Sequence, residues 1–91
     1  MKEERDDFAV ATFHSTYSVL KAEKVFKEAG FEKVRLIPVP SQISSDCGVT
    51  VRFLMSDMEK ARELLNLLKD DLEGIFHRSG DRWETIFEIG G

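Results

Sequence analysis

The order of elements in this chain predicts an α+β fold, with one antiparallel sheet carrying two helices on a single face. Two stretches, about 16–29 and 56–74, repeat apolar residues at helical spacing. Each is flanked by short runs of β-forming residues, so the chain reads β-α-β-β-α-β followed by one hairpin strand. At 91 residues the chain has material for one modest core, burying roughly 60–65% of the surface of the unfolded chain. A single domain over 1–91 is expected, with residues 1–7 a charged tail and 75–89 a terminal hairpin.

Phe8-Ala9-Val10-Ala11-Thr12-Phe13 reads as the first strand, bounded by charges before it and His14-Ser15-Thr16 after it. The first helix follows, from about Thr16 to Ala29. Val19, Ala22, Phe26 and Ala29 share one face with Val25 beside them, and lysines and glutamates take the wet side. Ser15 or Thr16 caps its start and Gly30 ends it. Lys33 to Ile37 reads as the second strand, closed by Pro38 and Pro40. Gly48 to Leu54 alternates, with Val49, Val51 and Phe53 on one face, and is the third strand. Ser56-Asp57-Met58-Glu59 matches a capping box. The second helix is expected to carry Met58, Ala61, Leu64, Leu65, Leu68 and Leu72 inward and to end near Gly74. Ile75 to Arg78 is the fourth strand, Ser79-Gly80-Asp81 a turn, and Trp83 to Ile89 the last strand, with Trp83, Thr85, Phe87 and Ile89 pointing one way. This order favours a ferredoxin-like split βαβ sandwich of strand order 4-1-3-2.

The bulk charge narrows the function. Thirteen Lys and Arg against seventeen Asp and Glu give a net charge of −4, which opposes non-specific nucleic-acid binding and offers nothing to an anionic membrane. Six of the first seven residues are charged and the stretch forms no signal-peptide pattern, and no apolar run approaches the ~20 residues of a membrane span. The expectation is a cytoplasmic protein with its single cysteine reduced. Two histidines and one cysteine form no recognised metal spacing, and no phosphate loop, serine elbow or paired-carboxylate site emerges, so neither metal nor cofactor is expected.

The chemistry-bearing residue is Cys47, the sole cysteine, set in Pro38-Val39-Pro40-Ser41-Gln42-Ile43-Ser44-Ser45-Asp46-Cys47-Gly48. A structural cysteine usually sits in an apolar run. This one lies among small, polar and turn-forming residues, where a loop can present it. The expected topology gathers the exits of the first two strands, the start of the third and the N-terminus of the first helix at one end of the sheet. Helix N-termini favour anions, including a thiolate. The site expected there comprises Cys47 with His14, Ser15, Thr16, Ser44, Ser45 and Gly48. Asp46 opposes a thiolate, and Cys47 shares the parity of Val49, Val51 and Phe53, so a buried and inert cysteine stays open beside the reactive one. His77 reads as a solvated or edge residue, Asp70, Asp71 and Glu73 as a solvated helix end, and the aromatics as core or oligomer contacts.

His14-Ser15-Thr16, the helix with Leu20, Ala22, Glu23 and Lys24, and Arg35-Leu36-Ile37-Pro38-Val39-Pro40 followed by Ile43-Ser44-Ser45 and Cys47-Gly48 resemble the Se/S carrier protein-like family, over about Phe8 to Leu72. The resemblance implies a small bacterial protein of selenium or sulfur metabolism with Cys47 as the carrier atom. It would take sulfur or selenium from a donor such as a cysteine desulfurase and pass it to an acceptor enzyme. His14 would position or deprotonate the thiol. The other function class is a non-catalytic protein-binding or oligomerisation module with an inert cysteine, recruiting a partner through an open sheet face. A homodimer fits both, and a turnover enzyme fits least. The terminal Gly90-Gly91 matches the tail of thiocarboxylate carriers, but the element order does not match their β-grasp fold.

Overall fold

The computed structural model describes residues 7–31, 33–43, 45 and 47–88. Five strands and two helices follow in the order β1 (Asp7–Phe13), α1 (Thr16–Glu28), β2 (Arg35–Pro38), β3 (Val49–Leu54), a 3-10 turn (Met55–Asp57), α2 (Met58–Leu67), β4 (Leu72–Ser79) and β5 (Arg82–Glu88). All strand pairs are antiparallel, and the sheet order is β2-β3-β1-β4-β5. Four of the five positions, read from the other edge, are 4-1-3-2, and β5 is added outside β4.

β1 is central, and every residue from Phe8 to Phe13 is buried. Its apolar run is continuous because both sheet faces are covered. On one face Ala9, Ala11 and Phe13 meet Val51, Phe53 and Ile75 under Val19, Ala22 and Phe26 of α1 and Met58, Ala61 and Leu65 of α2. Both helices therefore cover the same face. On the other face Phe8, Val10 and Phe76 form a smaller cluster with Ile43, backed by Ile37, Val39 and Trp83. Trp83 meets the Phe8 ring edge-on at 5.8 Å, and the Arg52 guanidinium stacks over the same ring at 4.3 Å. Partial burial, and secondarily the Arg35 guanidinium, lower the pKa of Arg52. The second face is thus not the open sheet the sequence suggested, because the β2–β3 connection lays Val39 and Ile43 across it.

α1 forms as expected. Ser15 is its N-cap, in extended conformation, and its hydroxyl accepts from the Ser18 N–H at 3.2 Å. Gly30, at φ 97°, ends it in a Schellman motif: Gly30 N–H donates to the Lys27 carbonyl and Phe31 N–H to the Phe26 carbonyl. The Phe26 and Phe31 rings pack 4.9 Å apart across this turn. Ala29, assigned to the buried face, is exposed because it already lies in the cap.

α2 departs from expectation at both ends. The chain takes a 3-10 turn over Met55–Asp57, so the N-cap is Asp57 without a side-chain bond and the Ser56 capping box does not form. The helix stops at Leu67. Turn bonds from Asp71 N–H to the Leu68 carbonyl and from Leu72 N–H to the Lys69 carbonyl carry the chain into β4. Leu68 and Leu72 are both buried, which imitates one more helical turn, but Leu72 reaches the core as the first residue of a strand. Asp70 and Asp71 at that end also oppose the helix dipole.

β5 carries a β-bulge. Ile75 pairs with Phe87 and Phe76 with Thr85, so Ile86 is extra. This breaks the expected alternation: Trp83 packs on the second face, Ile86 packs against the main core, and Phe87 is 41% exposed. Ile89 lies outside the described residues. Pro38 is the last residue of β2, an edge strand where a missing N–H is tolerated. No helix among the described residues is long and apolar enough to cross a membrane.

Candidate functional site around Cys47

β1, β4, α1 and the β2–β3 connection meet at one end of the sheet. Cys47, two residues before β3, is 5% exposed and belongs to the main core cluster. The expectation of a loop-presented thiol is corrected here: the parity shared with Val49, Val51 and Phe53 continues past the end of the strand and turns Cys47 inward. Its Sγ lies 3.4 Å from the Thr16 Oγ1, at the first residue of α1. The thiol therefore sits against the helix end whose N–H groups lack intrahelical partners.

The backbone around Cys47 is held from the side. Cys47 N–H donates to the Ser45 Oγ at 3.2 Å, a local turn in which serine replaces a backbone acceptor. The Ser45 hydroxyl in turn donates to the Glu73 Oε1 at 2.5 Å. The other Glu73 oxygen lies 3.3 Å from the His14 Nδ1, and the Glu73 side chain is only 17% exposed. His14 is anchored again through its backbone N–H, which donates to the Asp71 carbonyl.

Glu73 is the functional candidate that sequence reasoning missed, having read it as part of a solvated helix end. In the β1–β4 pairing Thr12 lies opposite Gly74 and Phe13 opposite Leu72, so Glu73 is the bulged residue between them. Bulges re-aim side chains, and this one directs a carboxylate at His14 and Ser45. The following Gly74 is required by space: a Cβ there would meet the Phe87 carbonyl oxygen at 2.9 Å and the Phe76 ring at 3.0 Å. Placing the start of the fourth strand at Leu72 would have put Glu73 beside the end of the first.

Of the residues expected at the site, Cys47, Thr16 and Ser45 are brought together directly, and His14 joins through Glu73. Ser15 serves as the helix cap, with its Oγ 3.1 Å from the Ser18 Oγ. Gly48 accepts from the Val39 N–H, and a Cβ on it would meet nothing within 4 Å. Ser44 and Asp46 lie outside the described residues, as do Gly90 and Gly91. Among the described residues no group of three or more His, Cys, Asp or Glu side chains is placed to hold a metal ion. The site offers one sulfur nucleophile, a hydroxyl beside it and a carboxylate–imidazole pair behind the segment that carries it.

Comparisons with known proteins bear on this site. A "Putative sulfur carrier protein" of Aquifex aeolicus (strain VF5) is 33% identical over 79 residues, which cover 84% of this chain and 39% of that protein. The chain thus spans about two fifths of the length of this relative. No solved structure matches the chain at a significant level. The family described as "Putative Se/S carrier protein-like" matches residues 8–77, which include β1 through most of β4 and every residue of the Cys47 network. The chain belongs to this Se/S carrier protein-like family.

Proposed function

We propose that this protein carries sulfur or selenium on Cys47 as a persulfide or selenosulfide. The observation that carries the reading is the placement of the chain's sole thiol, in a family named for Se/S carriage, against Thr16 at the N-terminal end of α1. In the loading step the Cys47 thiolate attacks the terminal sulfur of a donor persulfide, such as that of a cysteine desulfurase. A new S–S bond forms to Cys47, the donor S–S bond breaks, and its electron pair leaves on the donor cysteine thiolate, so nothing is oxidised or reduced overall. In the unloading step an acceptor nucleophile takes the terminal atom and Cys47 leaves as thiolate. Selenium follows the same exchange. Thr16 offers a hydroxyl hydrogen bond to the sulfur. His14 acts at one remove, through Glu73 and Ser45, as a positioning residue for the Cys47 backbone. The reading fits a reducing, cytoplasmic setting, and the fold it assumes is a ferredoxin-like sandwich with one strand added.

A second reading is favoured by one observation, the 5% exposure of Cys47 within the main core cluster. In it the domain is a binding or oligomerisation module and the thiol is core filling. Intact-mass spectrometry separates the two. The purified protein is incubated with a cysteine desulfurase and cysteine, or with selenocysteine, and weighed. Carriage gives a gain of one sulfur or selenium atom that reductant removes and Cys47→Ser abolishes. No gain, with alkylation of Cys47 only after unfolding, assigns the cysteine to the core.

A further inference from the structure

Two helices do not cover five strands. α2 buries Leu72 and Ile75 of β4 but leaves the helix-bearing face of β5 partly bare, and a groove of about 490 Å³ runs between the helix and that strand. Its floor is apolar: Leu72 and Ile75 of β4, and Ile86 and Phe87 of β5, with Leu65 as the helix wall. Phe87 is 41% exposed there, a large apolar residue kept at the surface. The rim has one sign of charge. Arg62 and Lys69 line the groove, and neither has a carboxylate partner within 4 Å among the described residues. In a chain of net charge −4, an apolar trench bracketed by two cations is complementary to an anionic, apolar occupant.

We propose that this groove docks an acidic amphipathic segment of a partner protein, with apolar side chains on the floor and carboxylates against Arg62 and Lys69. The spacing selects a peptide. The two cations are seven residues apart along α2 and the turn after it, roughly 10 Å at the helical rise. A helical segment with acids two turns apart matches that spacing and answers both cations, whereas a single-headed amphiphile brings one carboxylate to two cations. The groove reaches the end of β4 nearest the Cys47 site: Leu72 is in its floor, and the next residue, Glu73, holds His14 and Ser45. Resting on the carrier reading, the proposal makes this the surface where a donor or acceptor protein is held while sulfur or selenium is exchanged.

The test is a titration of the isotope-labelled full chain with a short synthetic peptide. Its leucines and a phenylalanine form one helical face between glutamates seven positions apart. The expected result is amide shifts confined to residues 62–69, 72–75 and 84–88. Affinity should fall about tenfold in the Arg62→Glu, Lys69→Glu double variant, and similarly when the peptide glutamates become glutamines. Cys47→Ser should bind the peptide unchanged. Shifts elsewhere, or affinity indifferent to charge reversal, overturn the proposal. Equal competition by dodecanoate assigns the groove to a small amphiphile and overturns it too, as does concentration-dependent self-association abolished by Phe87→Ser. Sulfur loading on Cys47 without peptide binding defeats the groove alone. Peptide binding with the stated charge dependence, but no loading, defeats the carrier reading and leaves the groove standing.

Discussion

A thiol that is 5% exposed reacts mainly from states in which its cover is open, so the groups fixing the Cys47 backbone tune its reactivity. Ser45 is the central one, accepting from the Cys47 N–H while donating to Glu73. Ser45→Ala removes both bonds, leaves the Cys47 N–H without its acceptor and loses the tie to Glu73. We predict a loss of about 1–2 kcal/mol in stability. Alkylation of Cys47 by iodoacetamide under native conditions should accelerate several-fold, measured by mass against time. An unchanged rate would mean that the Thr16 side, not the Ser45 side, limits access. Thr16→Val tests that side: it keeps the shape near the sulfur and deletes the hydroxyl 3.4 Å away. Its expected effect is slower sulfur loading with little change in melting temperature, because only the contact to the reacting atom is lost.

The bulge at Glu73 is an element-scale feature, and its neighbour makes it testable. Gly74→Ala would drive a methyl against the Phe87 carbonyl oxygen at 2.9 Å, and a backbone atom in a paired strand cannot step aside cheaply. The expected cost is about 1–3 kcal/mol, with amide-exchange protection lost first in β5 and the β4 pairing next to it. This element also marks where the sequence stopped being legible. β1, α1 and β3 follow from patterns local to their own residues: an apolar run, a capped 3.6 period closed by Gly30, and the alternation of Val49, Val51 and Phe53. That Thr16 and the Cys47 segment meet at one end of the sheet was legible for the same reason, since it follows from the order of those elements. The end of α2 was not legible, because Leu68 and Leu72 keep helical spacing while serving a turn and a strand. Glu73 was lost with that boundary, and Ile86 was misplaced likewise: a bulge is a decision of two paired strands, and one strand's residues do not announce it.

At the scale of the whole molecule, the β2–β3 connection is held on both faces of the sheet. Ile43 packs in the small cluster with Phe8, Val10 and Phe76, and Cys47, four residues on, packs in the main core beneath the helices. The two clusters differ in size, so their loss should have different reach. Phe53 is fully buried in the main core, against Phe26 at 5.8 Å between ring centroids. Phe53→Ala should cost about 3–5 kcal/mol, a large share of the stability of a small domain, and lower the single cooperative melting transition. Ile43→Ala empties a site at the rim of the small cluster, where the neighbours can close in, so its cost should lie near the lower end for such truncations, about 2 kcal/mol. Its larger consequence should be local. With one anchor of the connection gone, fewer contacts hold the segment that carries Cys47, and the thiol should alkylate at least several-fold faster at temperatures where circular dichroism still reports a folded protein. Measuring alkylation and global unfolding on the same samples separates the cases. If the Ile43→Ala rate rises only in proportion to the globally unfolded fraction, the connection opens with the whole molecule, and the small cluster is ordinary core. If it rises ahead of unfolding, access to Cys47 is set by a local equilibrium that the second sheet face controls.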